Sequence, residues 1–340
     1  MKVRLAIVGC GEIASYVAWL ARFVPRLQMI ACCDSDQQRA LRFSQRYRIP
    51  LVYQDYRALL EKENFDAVYL AVPHDLHCSM TLQAVEKSKA VLLEKPLARN
   101  FDEGKQLIDQ IGESKVGVNY QYRYDSALYA LARALQKREL GQIYSMCIQV
   151  PWHRSHEYFE LSPWHRSLQR SGGGTLLTQA SHFLDWAFWA LDEKPVCAIG
   201  FTDKVAFDVE VETIAHAVIQ SQGGTLISLT SSMICYKERA VTIQIDAQHG
   251  AAFYCDRPFP TVKFQGTWVV KEKPPIRGIH ALQRSLSAFC AWVLDETPYL
   301  IPAKQALPAL AAIDAIYCAA QTGKRESTIY TRNHQCDNLD

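Results

Sequence analysis

The run AIVGCGEIA carries two glycines, Gly9 and Gly11, where a β-rich stretch gives way to a helical pattern. Gly9 permits a tight turn, Gly11 lets the backbone approach a pyrophosphate, and the small Ala14 lets helix and strand pack closely. Glu12 and Ile13 open a helix whose N-terminal N–H groups then face the phosphates. The second strand ends in Asp34, where a carboxylate accepts from both ribose hydroxyls of an adenosine and repels a 2′-phosphate. Asp36 adds negative charge nearby and Arg39 partly offsets it. This pattern predicts a dinucleotide site that takes NAD in preference to NADP.

Three further stretches hold residues that could do chemistry. VLLEKPLARN puts Glu94, Lys95 and Pro96 directly after apolar residues; by itself that reads as a strand end with a surface lysine. In SGGGTLLTQASHFLD three glycines precede a helical run, so the backbone can come close to a ligand, and His182 and Asp185 share one helical face at i and i+3. A lone histidine there reads as a hydrogen-bonded structural residue. PWHRSHEYFELSPWHRS supplies Trp152, Arg154, Tyr158, Phe159, Trp164 and Arg166. Aromatic faces suit pyranose rings and guanidinium groups suit phosphate or carboxylate, although core aromatics and surface arginines would look the same.

The elements that must position these residues change character along the chain. Up to Val118 near-continuous apolar runs (VRLAIVG, LQMIACCD, FDAVYLAV, AVLLE, KVGVN) alternate with helical patterns (EIASYVAWLARF, SDQQRALRFSQRY, LHCSMTLQAVEKS, FDEGKQLIDQIGES). That alternation predicts a doubly wound parallel sheet covered on both faces, over residues 1–120. Beyond Tyr120 the helix DSALYALARALQKREL leads into alternating segments such as SMCIQVPW, TIAHAVIQ, TLISLTSSM and VTIQIDA. These predict an α+β domain over residues 121–340 with a mainly antiparallel sheet covered on one face. The last helical stretch, AKQALPALAAIDAIYCAAQTGK, is expected to start or bend at Pro308, and the polar tail NHQCDNLD to be loose.

Totals narrow the class. A chain of 340 residues suits two domains of ordinary size. Its 37 Lys and Arg nearly balance 35 Asp and Glu, and no basic run with interleaved aromatics is present, which argues against nucleic acid as a partner. The apolar stretch at the start is short and broken by glycines, unlike a signal peptide or membrane span, so a cytoplasmic protein without membrane partners is expected. The 11 cysteines are scattered without metal or redox spacing and read as reduced core residues.

Taken together, AVPHDLH at 71–77, EKPLA at 94–98 and SGGGTLLTQASHFLD at 171–185 resemble the GFO/IDH/MocA oxidoreductases, the family of glucose-fructose oxidoreductase and inositol dehydrogenase. The resemblance runs from Lys2 to about Lys324, where AIYCAAQTGK looks like the family's closing helix. It implies a Rossmann domain followed by a large open sheet, a nicotinamide cofactor, and hydride transfer at a sugar-like carbon. Lys95 would hydrogen-bond the reacting oxygen and His182 would be the catalytic base. Val72, Pro73, His77 and Glu94 would line the cofactor. NYQYRYD resembles the same branch, with Gln121 and Arg123 lining the substrate cleft together with Arg154, Tyr158, Trp164, Arg166, Thr178 and Asp185. Many family members carry an aspartate where this chain has Thr178; its loss removes a charge that could raise the basicity of Lys95 or His182. Gln179 and Ala180 look like a sugar-processing subgroup. The resemblance therefore implies oxidation of a nucleotide-linked or phosphorylated amino sugar, C3 being the favoured carbon. An inositol or free-sugar dehydrogenase is the alternative, as is a cofactor-sensing regulator without turnover. A homodimer or homotetramer paired through the open sheet is also implied.

Overall fold

The computed structural model describes residues 1–62 and 64–331. Two compact units divide the chain: one comprises Met1–Ala98, Asp102–Tyr124 and Pro275–Ala306, the other Arg99–Phe101, Asp125–Pro274 and the chain from Leu307 onward.

In the first unit β1 (Val3–Val8), β2 (Leu27–Cys33), β3 (Leu51–Tyr53), β4 (Ala67–Leu70), β5 (Ala90–Leu93) and β6 (Val116–Val118) form one sheet in the order β3-β2-β1-β4-β5-β6. Every pairing is parallel. All residues of β4 and β5 are buried because helices flank the sheet, which is why these strands read as unbroken apolar runs. The helices are α1 (Glu12–Ala21), α2 (Gln37–Tyr47), α3 (Tyr56–Lys62), α4 (His77–Glu86) and α5 (Phe101–Ile111). The helix Ala281–Val293 packs on α1. Strand order reverses between β1 and β4, and the chain leaving those two strands carries Gly9–Gly11 and Val72–Pro73, the position where open α/β sheets bind ligands. β3 and α3 escape the sequence pattern because both are too short to show a period.

The second unit holds α6 (Ser126–Gln136), α7 (His156–Leu161), α8 (Leu168–Ser171), α9 (Ser181–Leu191) and a final helix, Leu307–Thr322. Its sheet contains β7 (Ile143–Pro151), β8 (Pro195–Asp203), β9 (Ile214–Ser221), β10 (Leu226–Ser232), β11 (Thr242–Ala247), β12 (Gly250–Cys255), β13 (Thr261–Gln265) and β14 (Glu326–Ser327). The order is β13-β12-β11-β7-β10-β9-β8-β14, antiparallel except for the parallel pair β7 and β10. Burial alternates along β9 and β11, as expected for a sheet covered on one side. α6 and the final helix pack on the sheet, and α9 packs against both helices. The Trp186 indole donates to the Leu128 carbonyl at 3.0 Å, tying α9 to α6. Ile199, Phe201, Val218 and Leu226 are exposed on the strands β8 to β10.

The final helix begins at Leu307, one residue before Pro308, where a missing N–H costs no helical hydrogen bond. The tail NHQCDNLD lies outside the described residues. Cys10, Cys32, Cys33, Cys197 and Cys290 are buried free thiols, in line with the core reading, but Cys78, Cys147, Cys235, Cys255 and Cys318 are half-buried. Among the described residues no helix is long and apolar enough to cross a membrane.

Candidate active site

The candidate residues form two groups, one in each unit. In the first, Gly9 follows β1 at φ +84°, and a Cβ there would lie 2.0 Å from the Ala71 carbonyl oxygen, so the close approach of the two chain segments leaves room for glycine alone. At Gly11 a Cβ would meet nothing within 4 Å. Gly11 precedes Glu12 at the start of α1, and no side chain caps that helix. Uncapped N–H groups opening on free space fit a pyrophosphate. Ala14 is buried, whereas Glu12 and Ile13 are exposed. The buried Asp34 accepts from Cys10 N–H at 2.8 Å and Asp36 N–H at 2.9 Å, and Arg39 approaches at 3.5 Å. Its carboxylate therefore fastens the glycine loop to the end of β2 as well as standing where an adenosine ribose is expected. The donor set and the open helix start fit NAD.

Beyond β4, Val72 and Pro73 lead into a short 3-10 turn, His74–Leu76, and His77 opens α4. His77 is wholly buried, with Nδ1 2.7 Å from the Pro96 carbonyl and Nε2 3.0 Å from the Val72 carbonyl. A neutral imidazole has one N–H and can donate to one of these oxygens at a time. Burial outweighs the two carbonyls, which favour the charged ring, and pushes the group down to about 4. His77 thus joins the turn after β4 to the turn after β5.

That second turn carries Glu94 and the half-buried Lys95. The Glu94 carboxylate accepts from the Tyr69 hydroxyl, from Asn119 Nδ2 at 2.7 Å and from Lys95 N–H at 3.3 Å. Asn119 Oδ1 accepts in turn from Ser285 Oγ at 2.9 Å, and Ser285 lies 2.6 Å from the Tyr299 hydroxyl. Burial pushes the Tyr69 phenol well above its ordinary range, with the Glu94 charge adding to the effect. A satisfied buried network of this kind rigidifies the backbone that presents Lys95.

Gln121 opens a 3-10 turn that ends at Tyr124, and its Oε1 is buried with no hydrogen-bond partner among the described residues. Arg123 departs from the expectation. It is 1 % exposed, and its guanidinium donates to the Leu300 carbonyl at 3.0 Å, to Gln305 Oε1 at 2.5 Å and to the Gln305 carbonyl at 3.3 Å. A buried cation must find acceptors, and Arg123 finds them in the 300–305 segment, which it clasps from inside the unit.

In the second unit the GGGT stretch leads through a π-helical turn, Leu176–Ala180, into α9, which carries His182 and Asp185, both buried. Such turns recur at functional sites because they reset which side chains share a face. Thr178 Oγ1 donates back to the Gly174 carbonyl at 2.7 Å. Trp152 meets His182 edge to face at 6.2 Å, and Gln179 Nε2 donates to the Trp152 carbonyl at 3.2 Å. Arg154 lies over the Tyr158 ring, 5.0 Å from its centre, and its Nε is buried with no partner among the described residues. The Tyr158 hydroxyl pairs with His165 Nδ1 at 3.0 Å, and the Trp164 ring lies tilted against His165 with centres 3.7 Å apart. Phe159 belongs to the core and Arg166 to the surface.

The three glycines serve the protein's own packing. A Cβ at Gly172 would lie 2.5 Å from Arg99 Cβ, at Gly173 2.0 Å from the Tyr317 hydroxyl and at Gly174 1.8 Å from the Glu212 carbonyl oxygen. Sequence reasoning read them as approaching a ligand and overlooked Glu212 and Tyr317, whose only signal was an acidic residue among β-rich segments and a tyrosine in the last helix.

The chain belongs to the GFO/IDH/MocA oxidoreductases. The model for the oxidoreductase family with an NAD-binding Rossmann fold matches residues 3–122, and that for the GFO/IDH/MocA C-terminal domain matches residues 129–253. The chain is similar to trans-1,2-dihydrobenzene-1,2-diol dehydrogenase of Mus musculus, 26% identical over 239 residues that cover 68% of this chain and 69% of that protein. It is also similar to D-glucoside 3-dehydrogenase of Escherichia coli (strain K12), 24% identical over 355 residues and covering 95% of this chain and 97% of the relative. Among solved structures, the WlbA dehydrogenase of Bordetella pertussis in complex with NADH and UDP-GlcNAcA shares the fold with a TM-score of 0.83 at 23% identity, covering 96% of this chain and 99% of that one. The protein is therefore an oxidoreductase with an NAD-binding Rossmann domain.

Proposed function

We propose that the protein oxidises a ring hydroxyl of a sugar derivative, with the C3 carbinol of a nucleotide-linked or phosphorylated amino sugar as the favoured substrate. One observation carries the catalytic assignment: a buried histidine, His182, held against Trp152 on the helix after the glycine stretch, in an NAD-binding oxidoreductase that also keeps Lys95 at the end of β5. Oxidising a carbinol takes a hydride from carbon and a proton from oxygen, and bound NAD supplies the hydride acceptor. His182 takes the proton on its imidazole nitrogen. The Lys95 ammonium group stabilises the developing alkoxide. Residues 1–120 hold the cofactor and residues 121–340 supply the substrate contacts. Trp152, Tyr158 and Trp164 give aromatic faces for a pyranose ring, Arg154 and Arg166 give cations for a phosphate or carboxylate, and Gln121, Thr178 and Asp185 give polar contacts.

The C3 preference is supported by relatives: D-glucoside 3-dehydrogenase of Escherichia coli, and dTDP-3,4-didehydro-2,6-dideoxy-alpha-D-glucose 3-reductase of Saccharopolyspora spinosa at 25% identity. The ligand UDP-GlcNAcA in the Bordetella WlbA complex supports a nucleotide-linked sugar. Similarity to inositol 2-dehydrogenase of Rubrobacter xylanophilus, at 23% identity, favours a polyol as the second reading. A cytoplasmic homodimer or homotetramer completes the proposal, with the exposed Ile199, Phe201, Val218 and Leu226 as the self-associating surface. The test is a panel of nucleotide sugars, sugar phosphates, free sugars and inositols, followed by nicotinamide absorbance. Turnover with a nucleotide sugar or sugar phosphate and identification of the 3-keto product support the proposal; turnover confined to inositols selects the second reading.

A further inference from the structure

We infer that Glu212 is a positioning residue for His182. The inference rests on the reading of His182 as the general base, and its geometric basis lies wholly within the second unit. The turn that begins the His182 helix has no side-chain cap of its own at Thr175. Its orphan N–H groups need acceptors, because a buried helix start without them is costly. Glu212, 38 residues further along the chain from Gly174, provides them: its carboxylate accepts from Gly174 N–H at 2.7 Å and Leu176 N–H at 2.9 Å. Its backbone carbonyl accepts from Thr175 N–H at 3.0 Å.

The Tyr317 hydroxyl, from the final helix, donates to the same carboxylate at 2.9 Å. These bonds grip consecutive residues 174 to 176 from two directions, and the absence of side chains at Gly173 and Gly174 is what allows the approach. The carboxylate is deeply buried, and burial raises its pKa despite its hydrogen bonds, so desolvation outweighs them. A fold that needed only a helix cap could use a local serine or aspartate at far lower desolvation cost.

Geometry continues from the clamp toward the histidine. Thr175 Oγ1 donates to Gln179 Oε1 at 3.1 Å, Gln179 donates to the Trp152 carbonyl, and the Trp152 ring packs on His182. Glu212 thereby sets the axial position of the helix and, through Thr175 and Gln179, bears on the Trp152 ring that lies edge to face with His182. It touches no reacting atom; it acts through the helix.

The test uses full-length protein with 15N-labelled histidine, the His182 ring signals being identified by their loss in His182→Ala. Glu212→Gln keeps the size but turns N–H donors toward the N–H groups of Gly174 or Leu176. The His182 ring signals are expected to move beyond their linewidth, and kcat to fall about 10-fold or more, the scale of a misplaced catalytic group. Dissociation of NAD is expected to stay unchanged. Ile243→Val, in the buried core of β11, serves as a control for general destabilisation and should leave the ring signals in place. Tyr317→Phe removes one bond of the clamp and reads the same signals if Glu212→Gln does not fold. Unmoved His182 signals in the folded clamp variant would overturn the positioning role. Unchanged turnover in His182→Ala would overturn the general-base reading, and the ring signals would still decide the role of Glu212.

Discussion

Nδ1 of His77 and the carbonyl oxygen of Pro96 lie 2.7 Å apart, so one buried imidazole ties the turn after β4 to the turn that carries Lys95. Its partner on the other side is Val72, one residue into the first turn beyond Ala71. The ring adds a link between two turns that also make their own bonds, such as Leu76 N–H to the Pro73 carbonyl at 3.0 Å in the first and the Glu94 network in the second.

That arrangement predicts a pH dependence of stability. The unfolded ring titrates at 6.5 and the folded one at about 4. Between those values the unfolded chain binds a proton that the native state does not, so stability rises with pH across the window and is complete above it. The contribution, about 3 kcal/mol at most, is lost as pH falls from 6.5 toward 4. Urea midpoints measured between pH 4.5 and 7 should therefore fall less steeply in His77→Gln than in wild type. Burial also lowers the pKa of His280, which adds to the slope in the same direction and leaves a remainder in the variant. Identical slopes would mean that folding does not lower the His77 pKa.

Asp34 fastens Cys10 N–H at 2.8 Å, and in the proposed function it also meets the adenosine ribose. Asp34→Ala should weaken NAD by about 10- to 100-fold, equivalent to roughly 1.4 to 2.8 kcal/mol, through loss of both. NADP should lose less, narrowing the preference. Titration calorimetry with the two cofactors measures this, and an unaltered NAD affinity would remove Asp34 from the site.

For the acid-base pair, Lys95→Ala should leave NAD binding nearly intact and lower kcat by about 10²-fold or more. His182→Ala should lower it by about 10²- to 10⁴-fold. If the two groups serve one proton and one oxygen, as proposed, the double variant should lose much less than the product of the single losses. Multiplicative losses would assign them independent roles.

Gly174 tests the clamp from the glycine side. An added Cβ would lie 1.8 Å from the Glu212 carbonyl oxygen, backbone that cannot rotate aside. Gly174→Ala should cost about 3 kcal/mol or more, at the upper end of overpacking. A thermal midpoint within a degree or two of wild type would show that the turn relaxes freely.

Local pattern determined a good deal. Unbroken apolar strands alternating with helices specify a parallel sheet whatever lies around them, and the spacing of Gly9, Gly11 and Asp34 within one βαβ unit is that of an NAD-binding Rossmann fold. Pro308 marked the start of the final helix for the same local reason. What the pattern did not contain is which distant atoms come to meet these elements. Arg123 looked like a residue for substrate and instead clasps the 300–305 segment, since a buried guanidinium goes where carbonyls are left over by the fold. Glu94 turned toward Tyr69 and Asn119 for the complementary reason, a buried carboxylate seeking donors. The glycines before His182 announced a close approach, but only tertiary packing decided that Glu212, Tyr317 and Arg99 make it, because contacts across long stretches of chain are chosen by the shapes and hydrogen-bonding needs of surfaces that exist only once the chain has folded.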